Sequence, residues 1–75
     1  MPDIKVTVQI GKKGLSEETI QEIIKQLKAK KTIKVKFLKS FLYTTNKKEA
    51  TQEILENTQA ALLEQRGFSI TIRKN

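Results

Sequence analysis

Between residues 4 and 37 the hydrophobic period switches from two to about 3.6 and back to two, which fixes the order strand, helix, strand. Ile4, Val6, Val8 and Ile10 alternate with Lys5, Thr7 and Gln9, the pattern of a strand with one buried face. Ile20, Ile23, Ile24 and Leu27 then recur at helical spacing and define a single apolar stripe. Ile33, Val35 and Phe37 alternate with Lys34 and Lys36 in a second strand. Such a βαβ unit is expected to be parallel, with a right-handed crossover.

The helix start carries its own signals. Ser16 is placed to accept an orphan backbone N–H as N-cap. Glu17 and Glu18 sit where the helix dipole favours negative charge, and Leu15 and Ile20 can staple across the cap. Lysines from Lys28 to Lys31 suit the helix end near Ala29 to Lys31.

Residues Lys39 to Thr45 read as an irregular connection, part of which should fold back on the core because it holds Phe41, Leu42 and Tyr43. Asn46 and Glu49 form a capping-box pattern for a second helix running to about Asn57, with Ala50, Ile54 and Leu55 inward. The last stretch, Ala60 to Gln65 and then Phe68 to Ile72, reads as two strands joined at Arg66-Gly67. Ala and Leu favour helix in the first of these. The glycine turn and the alternation of Phe68, Ile70 and Ile72 argue for an antiparallel hairpin instead. The order is β-α-β-α-β-β. It implies an α+β, two-layer sandwich: a four-stranded mixed sheet with two helices on one face. Lys5, Thr7, Gln9, Lys34, Lys36, Ser69 and Thr71 would line the other face.

With 75 residues the chain is expected to form one domain. It buries only about 60% of its unfolded surface, so the core is thin. It has no cysteine and no histidine, which removes disulfides, thiolate metal sites, the commonest metal ligand and the commonest general base. Glu17, Glu18, Glu22, Glu49, Glu53 and Glu56 lie at helix positions explained by capping or exposed faces, so no catalytic pair, cofactor, metal site or small-molecule substrate is expected. No apolar run approaches the ~20 residues of a membrane span, and Met1 to Lys5 do not resemble a secretory signal. A cytoplasmic location and no membrane partner are the corresponding expectations.

Fifteen Lys and Arg against eight Asp and Glu give a formal charge of +7. On so small a body this is a field that attracts polyanions. Nucleic acid and an anionic membrane surface are both compatible with it, as is lysine used for solubility or heat adaptation. The lysines are also segregated: from Ile23 to Lys48 there are nine and no acidic residue. A run crossing a helix end, a strand and a loop reads as a binding surface. Lys rather than Arg suggests point-charge contact with phosphates.

Gly11-Lys12-Lys13-Gly14 stands between a strand and a helix start. Two glycines let backbone N–H groups approach a bulky anion, the helix start adds further N–H groups, and the two lysines add full charges. An ordinary turn with solubilising lysines would look the same in sequence. The pattern is neither a nucleotide P-loop nor the dinucleotide fingerprint. Phe37 and Phe68 fall on inward positions; Phe41 or Tyr43 can pack the loop or stack a base.

The run Val8 to Glu18, with Gly11-Lys12-Lys13-Gly14-Leu15-Ser16 at its centre, resembles the opening of the CRM domain. This is the chloroplast RNA splicing and ribosome maturation module, with stand-alone YhbY-like prokaryotic members. Leu27, the lysines at 28–31, Ile33-Lys34-Val35-Lys36 and the closing Arg66-Gly67 with Phe68 to Arg73 resemble later blocks of the same family. The chain departs from the family pattern in three places. It opens almost directly in the first strand, where bacterial members carry a further helix. Gln65 stands where an apolar residue is usual, and no aromatic precedes Arg73.

The resemblance implies the fold of the C-terminal domain of translation initiation factor three. It also implies binding to structured RNA, with ribosomal precursors of the large subunit as the partner. Its RNA contacts would be Gly11, Lys12, Lys13 and Gly14, with Lys28, Lys31, Lys34, Lys36 and Arg66. A non-catalytic RNA-binding protein is therefore expected. The alternatives are an Alba-like DNA- or RNA-binding architectural protein and a ribosome-docking protein–protein adaptor.

Overall fold

The computed structural model describes residues 6–43 and 45–75, so the expectations for Ile4, Lys5 and Thr44 lie outside the described residues. Its seven elements are, in chain order, β1 (Val6–Ile10), α1 (Glu17–Lys30), β2 (Thr32–Phe37), α2 (Lys39–Leu42), α3 (Lys47–Thr58), β3 (Ala60–Arg66) and β4 (Ser69–Lys74). The strands form one mixed sheet in the order β1-β2-β4-β3. β1 and β2 are parallel, as the βαβ pattern requires, and β4 is antiparallel to both β2 and β3. The expected α+β fold is thus present with one addition. The connection at 39–45 holds the short helix α2 where an irregular loop was expected. Phe41 does fold back, but Tyr43 projects into solvent.

The core lies between the sheet and the helix layer. Val8, Ile10, Ile33, Val35, Phe37, Ile70 and Ile72 come from the sheet. They meet Ile23 and Leu27 of α1, Ala50 and Ile54 of α3, and Phe41 of α2. Phe37 and Phe41 stack with ring centroids 5.6 Å apart. Thr51 is the buried polar residue on α3; its hydroxyl donates to the Lys47 carbonyl at 2.8 Å, so burial leaves nothing unpaired. Both long helices are capped as expected. Ser16 Oγ accepts from the Thr19 N–H at 3.3 Å, and Asn46 Oδ1 accepts from the Glu49 N–H at 2.7 Å.

Two expectations about side-chain direction and one about exposure are corrected. The register shifts between Val6 and Val8, which sets Val6 opposite Lys34 and leaves it 39% exposed instead of in the core. Phe68 belongs to the turn between β3 and β4, outside the strand alternation, and is exposed. Thr71 is on the outer sheet face as expected but is buried. Its register neighbours are Lys34 and Glu64, long side chains of the kind whose apolar stems shield a shorter one between them. A second register shift, between Leu62 and Glu64, sits in β3. Both strands at the ends of the sheet order therefore carry an irregularity, a device that hinders pairing with another chain.

Gln59, the C-cap of α3, is left-handed with φ 54° and ψ 38°. A non-glycine residue there costs about 1–2 kcal/mol. Glycine removes that cost and adds about 0.5–1 kcal/mol of unfolded-chain entropy. Gln59→Gly is expected to stabilise the protein by about 0.5–1 kcal/mol. This is read as a higher urea midpoint at unchanged slope; a lower midpoint would mean that the Gln59 side chain makes a stabilising contact.

Candidate nucleic-acid interface

Parallel pairing of β1 with β2 brings the carboxyl ends of both strands to one end of the sheet. Ile10 pairs with Phe37, and the pairing continues as the Leu38 N–H donates to the Ile10 carbonyl at 2.8 Å. The Gly11–Gly14 turn leaves the first strand there, and α2 leaves the second. The turn closes with the Gly14 N–H donating to the Gly11 carbonyl at 2.9 Å. Gly14 has φ +67°, a conformation that L side chains rarely adopt. A Cβ on Gly11 would stand 3.0 Å from Leu38 Cδ1, and one on Gly14 3.6 Å from Phe41 Cε1. The turn thus lies directly on α2, and its two corner residues, Lys12 and Lys13, face solvent.

The antiparallel hairpin brings its own turn to the same end. The Phe37 N–H donates to the Phe68 carbonyl at 2.7 Å, and Lys47 Nζ donates to the Gly67 carbonyl at 2.6 Å. The outer face of the sheet can be read in rows across the strands. The row nearest this end is Gln9, Lys36, Ser69 and Arg66, with two cations and no acid. The next is Val6, Lys34, Thr71 and Glu64. Arg66 Nε lies 3.9 Å from Glu64 Oε1, but both side chains are solvated, so the pair neutralises little.

The expected contact residues are therefore split. Gly11, Lys12, Lys13, Gly14, Lys36 and Arg66 share one end of the sheet or the row beside it, and Lys34 lies one row further along. Lys28 and Lys31 stand at the other end, where the Lys74 N–H donates to the Lys31 carbonyl at 2.7 Å. A strand of six residues separates the ends by about 20 Å. The acid-free stretch from Ile23 to Lys48 is consequently two basic regions joined by β2. Lys39 and Lys47 belong to the turn end and were visible only as members of that stretch. Placing the ends of parallel strands together would have singled them out.

One part of the phosphate-grip reading is revised. The start of α1 does not add a free anion cradle, because the Thr19 N–H is taken by Ser16 and the exposed Glu17, Glu18 and Glu22 line its first turns. α3 carries Glu49, Glu53 and Glu56, all exposed. Six of the glutamates thus lie at the start of α1 and along α3, whereas the turn end, with Lys12, Lys13, Lys36, Lys39 and Arg66, carries cations without an acid in its own row, which favours approach of a polyanion there. Among the described residues no cluster of three or more acidic, Cys or His side chains could hold a metal, and no helix is long and apolar enough to cross a membrane.

The fold and this basic turn define a small α+β domain of the kind that the family comparison recovers. The model of the CRS1/YhbY (CRM) domain matches residues 2–73, and the chain belongs to that family. In solved structures it is similar to the Staphylococcus aureus protein SAV1595, described as a candidate RNA-binding protein. The TM-score is 0.79 and the identity 32%, over 97% of this chain and 74% of that one. No curated protein sequence matches the chain.

Gly14→Ala is expected to cost about 1–2 kcal/mol, because the left-handed backbone is strained by a Cβ although the space beside Phe41 admits it. A melting temperature lower by several degrees is the readout; an unchanged one would show that the turn has other accessible conformations.

Proposed function

We propose that this chain is a non-catalytic RNA-binding domain that holds structured RNA, ribosomal RNA precursors of the large subunit included, chiefly by its phosphates. The observation that carries the reading is the Gly11–Gly14 turn. It puts two exposed lysines on a tight glycine backbone at the sheet end where Lys36, Lys39 and Arg66 also lie. Membership of the CRM family supports RNA as the polyanion. Backbone N–H groups and lysine point charges contact phosphates without reading bases, so affinity should track RNA shape and charge more than sequence.

If about four to six phosphates are neutralised, log K should fall with log salt at a slope of about −3 to −5. Replacing Lys12 and Lys13 by alanine is expected to weaken binding across RNA sequences and to make the slope shallower by about 1.5. Filter binding of a ribosomal RNA fragment over a salt series measures both. Affinity and slope unchanged in the double variant would leave the turn as a structural feature alone. A duplex DNA of equal length, added as competitor, tests the choice of polyanion; equal competition would favour an architectural nucleic-acid protein over an RNA binder.

A further inference from the structure

Two aromatic side chains at the turn end are left outside the core. Tyr43 is 86% exposed and Phe68 53% exposed, although the strand alternation would place Phe68 inside. Neither position demands a large ring. Tyr43 caps a four-residue helix through its backbone, and Phe68 comes directly after Gly67 in a short hairpin turn, where small or polar residues are the usual choice.

Both rings are tied to the Gly11–Gly14 turn by short connections. Phe41, two residues before Tyr43, lies under Gly14. The carbonyl of Phe68 is bonded to Phe37, next to the Leu38–Ile10 bond that precedes Gly11. Lys47, four residues after Tyr43 in the chain, reaches the hairpin turn, where its ammonium donates to the Gly67 carbonyl at 2.6 Å. Exposed rings at the same end of the sheet as Lys12, Lys13, Lys39 and Lys47 match a nucleotide in both of its parts: cations for the phosphate, a flat apolar face for the base.

We infer that Tyr43 and Phe68 form a base-stacking element that takes unpaired nucleotides of an RNA whose phosphates are held at the adjacent turn. The inference rests on the proposed RNA-binding role and deepens it. Bases inside a continuous duplex are already stacked and cannot lie on these rings, whereas bases of a loop or bulge can. The domain should therefore favour RNA in which a helix meets an unpaired segment.

Tyr43 is the only tyrosine and the chain has no tryptophan, so tyrosine emission reports this one ring. The unmodified protein would be titrated with a hairpin carrying a single-stranded loop and with a blunt RNA duplex of equal phosphate number, emission being corrected for RNA absorbance. Quenching by the hairpin and little by the duplex is expected. Tyr43→Ala and Phe68→Ala should each weaken hairpin binding by about fivefold to a hundredfold and leave duplex binding within about twofold, while Tyr43→Phe keeps hairpin affinity. Salt-sensitive binding of both RNAs with unchanged emission and unaltered hairpin affinity in the alanine variants would overturn the stacking element and leave the RNA-binding role standing. Binding of neither RNA would overturn both. Tyrosine emission that changes on concentrating the protein alone would assign the rings to contact between copies, and also overturns the inference.

Discussion

The parallel pairing of β1 with β2 is the constraint on which the rest of this structure depends. Parallel strands need a crossover, and α1 supplies it while placing Ile23 and Leu27 on the sheet. The same pairing sets the exits of both strands side by side, so that the segment leaving Ile10 meets the segment leaving Phe37. The first of these segments is the glycine-lysine turn and the second is α2. Phe41 then locks the two together: its ring stacks on Phe37 in the core and underlies Gly14 in the turn. The turn end is thus continuous with the core through Phe41, which holds two charged residues at a fixed place in a chain with a thin core.

Charge distribution completes the design, with no ionic side chain buried among the described residues. Acidic residues serve the helix layer, at the start of α1 and along α3, where they favour the helices. Basic residues occupy the turn end and the outer sheet face, whose rows carry Lys36 with Arg66 and Lys34 with Glu64. A net charge of +7 attracts polyanions in general; the acid-free row at the turn end makes that end the most favourable part of the sheet face. The second basic region, Lys28 and Lys31 near Lys74, lies a strand length away from the turn end.

Much of this was legible in the sequence because the strands and the two long helices have clean periods. The βαβ unit, the caps at Ser16 and Asn46 and the closing hairpin at Gly67 are all set by local chemistry. The misreadings have local causes too. α2 has four residues and no side-chain cap, so it leaves no periodic or capping signal. The Phe68-Ile70-Ile72 alternation extends by chance into the turn, and the irregularity after Val6 reverses that side chain without altering the residue pattern. The candidate site was only partly legible. The turn could be named from its glycines, but which of the nine lysines join it depends on which strand ends meet, a matter of topology and not of composition. Tyr43 and Phe68 could not be assigned from pattern, since exposure of an aromatic residue is a tertiary property.

The location of the RNA-binding surface is tested most directly by backbone amide NMR of the intact chain during titration with an RNA hairpin. The proposed site predicts the largest shift changes at Gly11 to Gly14, Lys36, Leu38 to Tyr43 and Arg66 to Ser69, with α3 and the Lys28, Lys31 and Lys74 region changing little at the first equivalents. Changes concentrated at Lys28, Lys31 and Lys74 with the turn unaffected would contradict it.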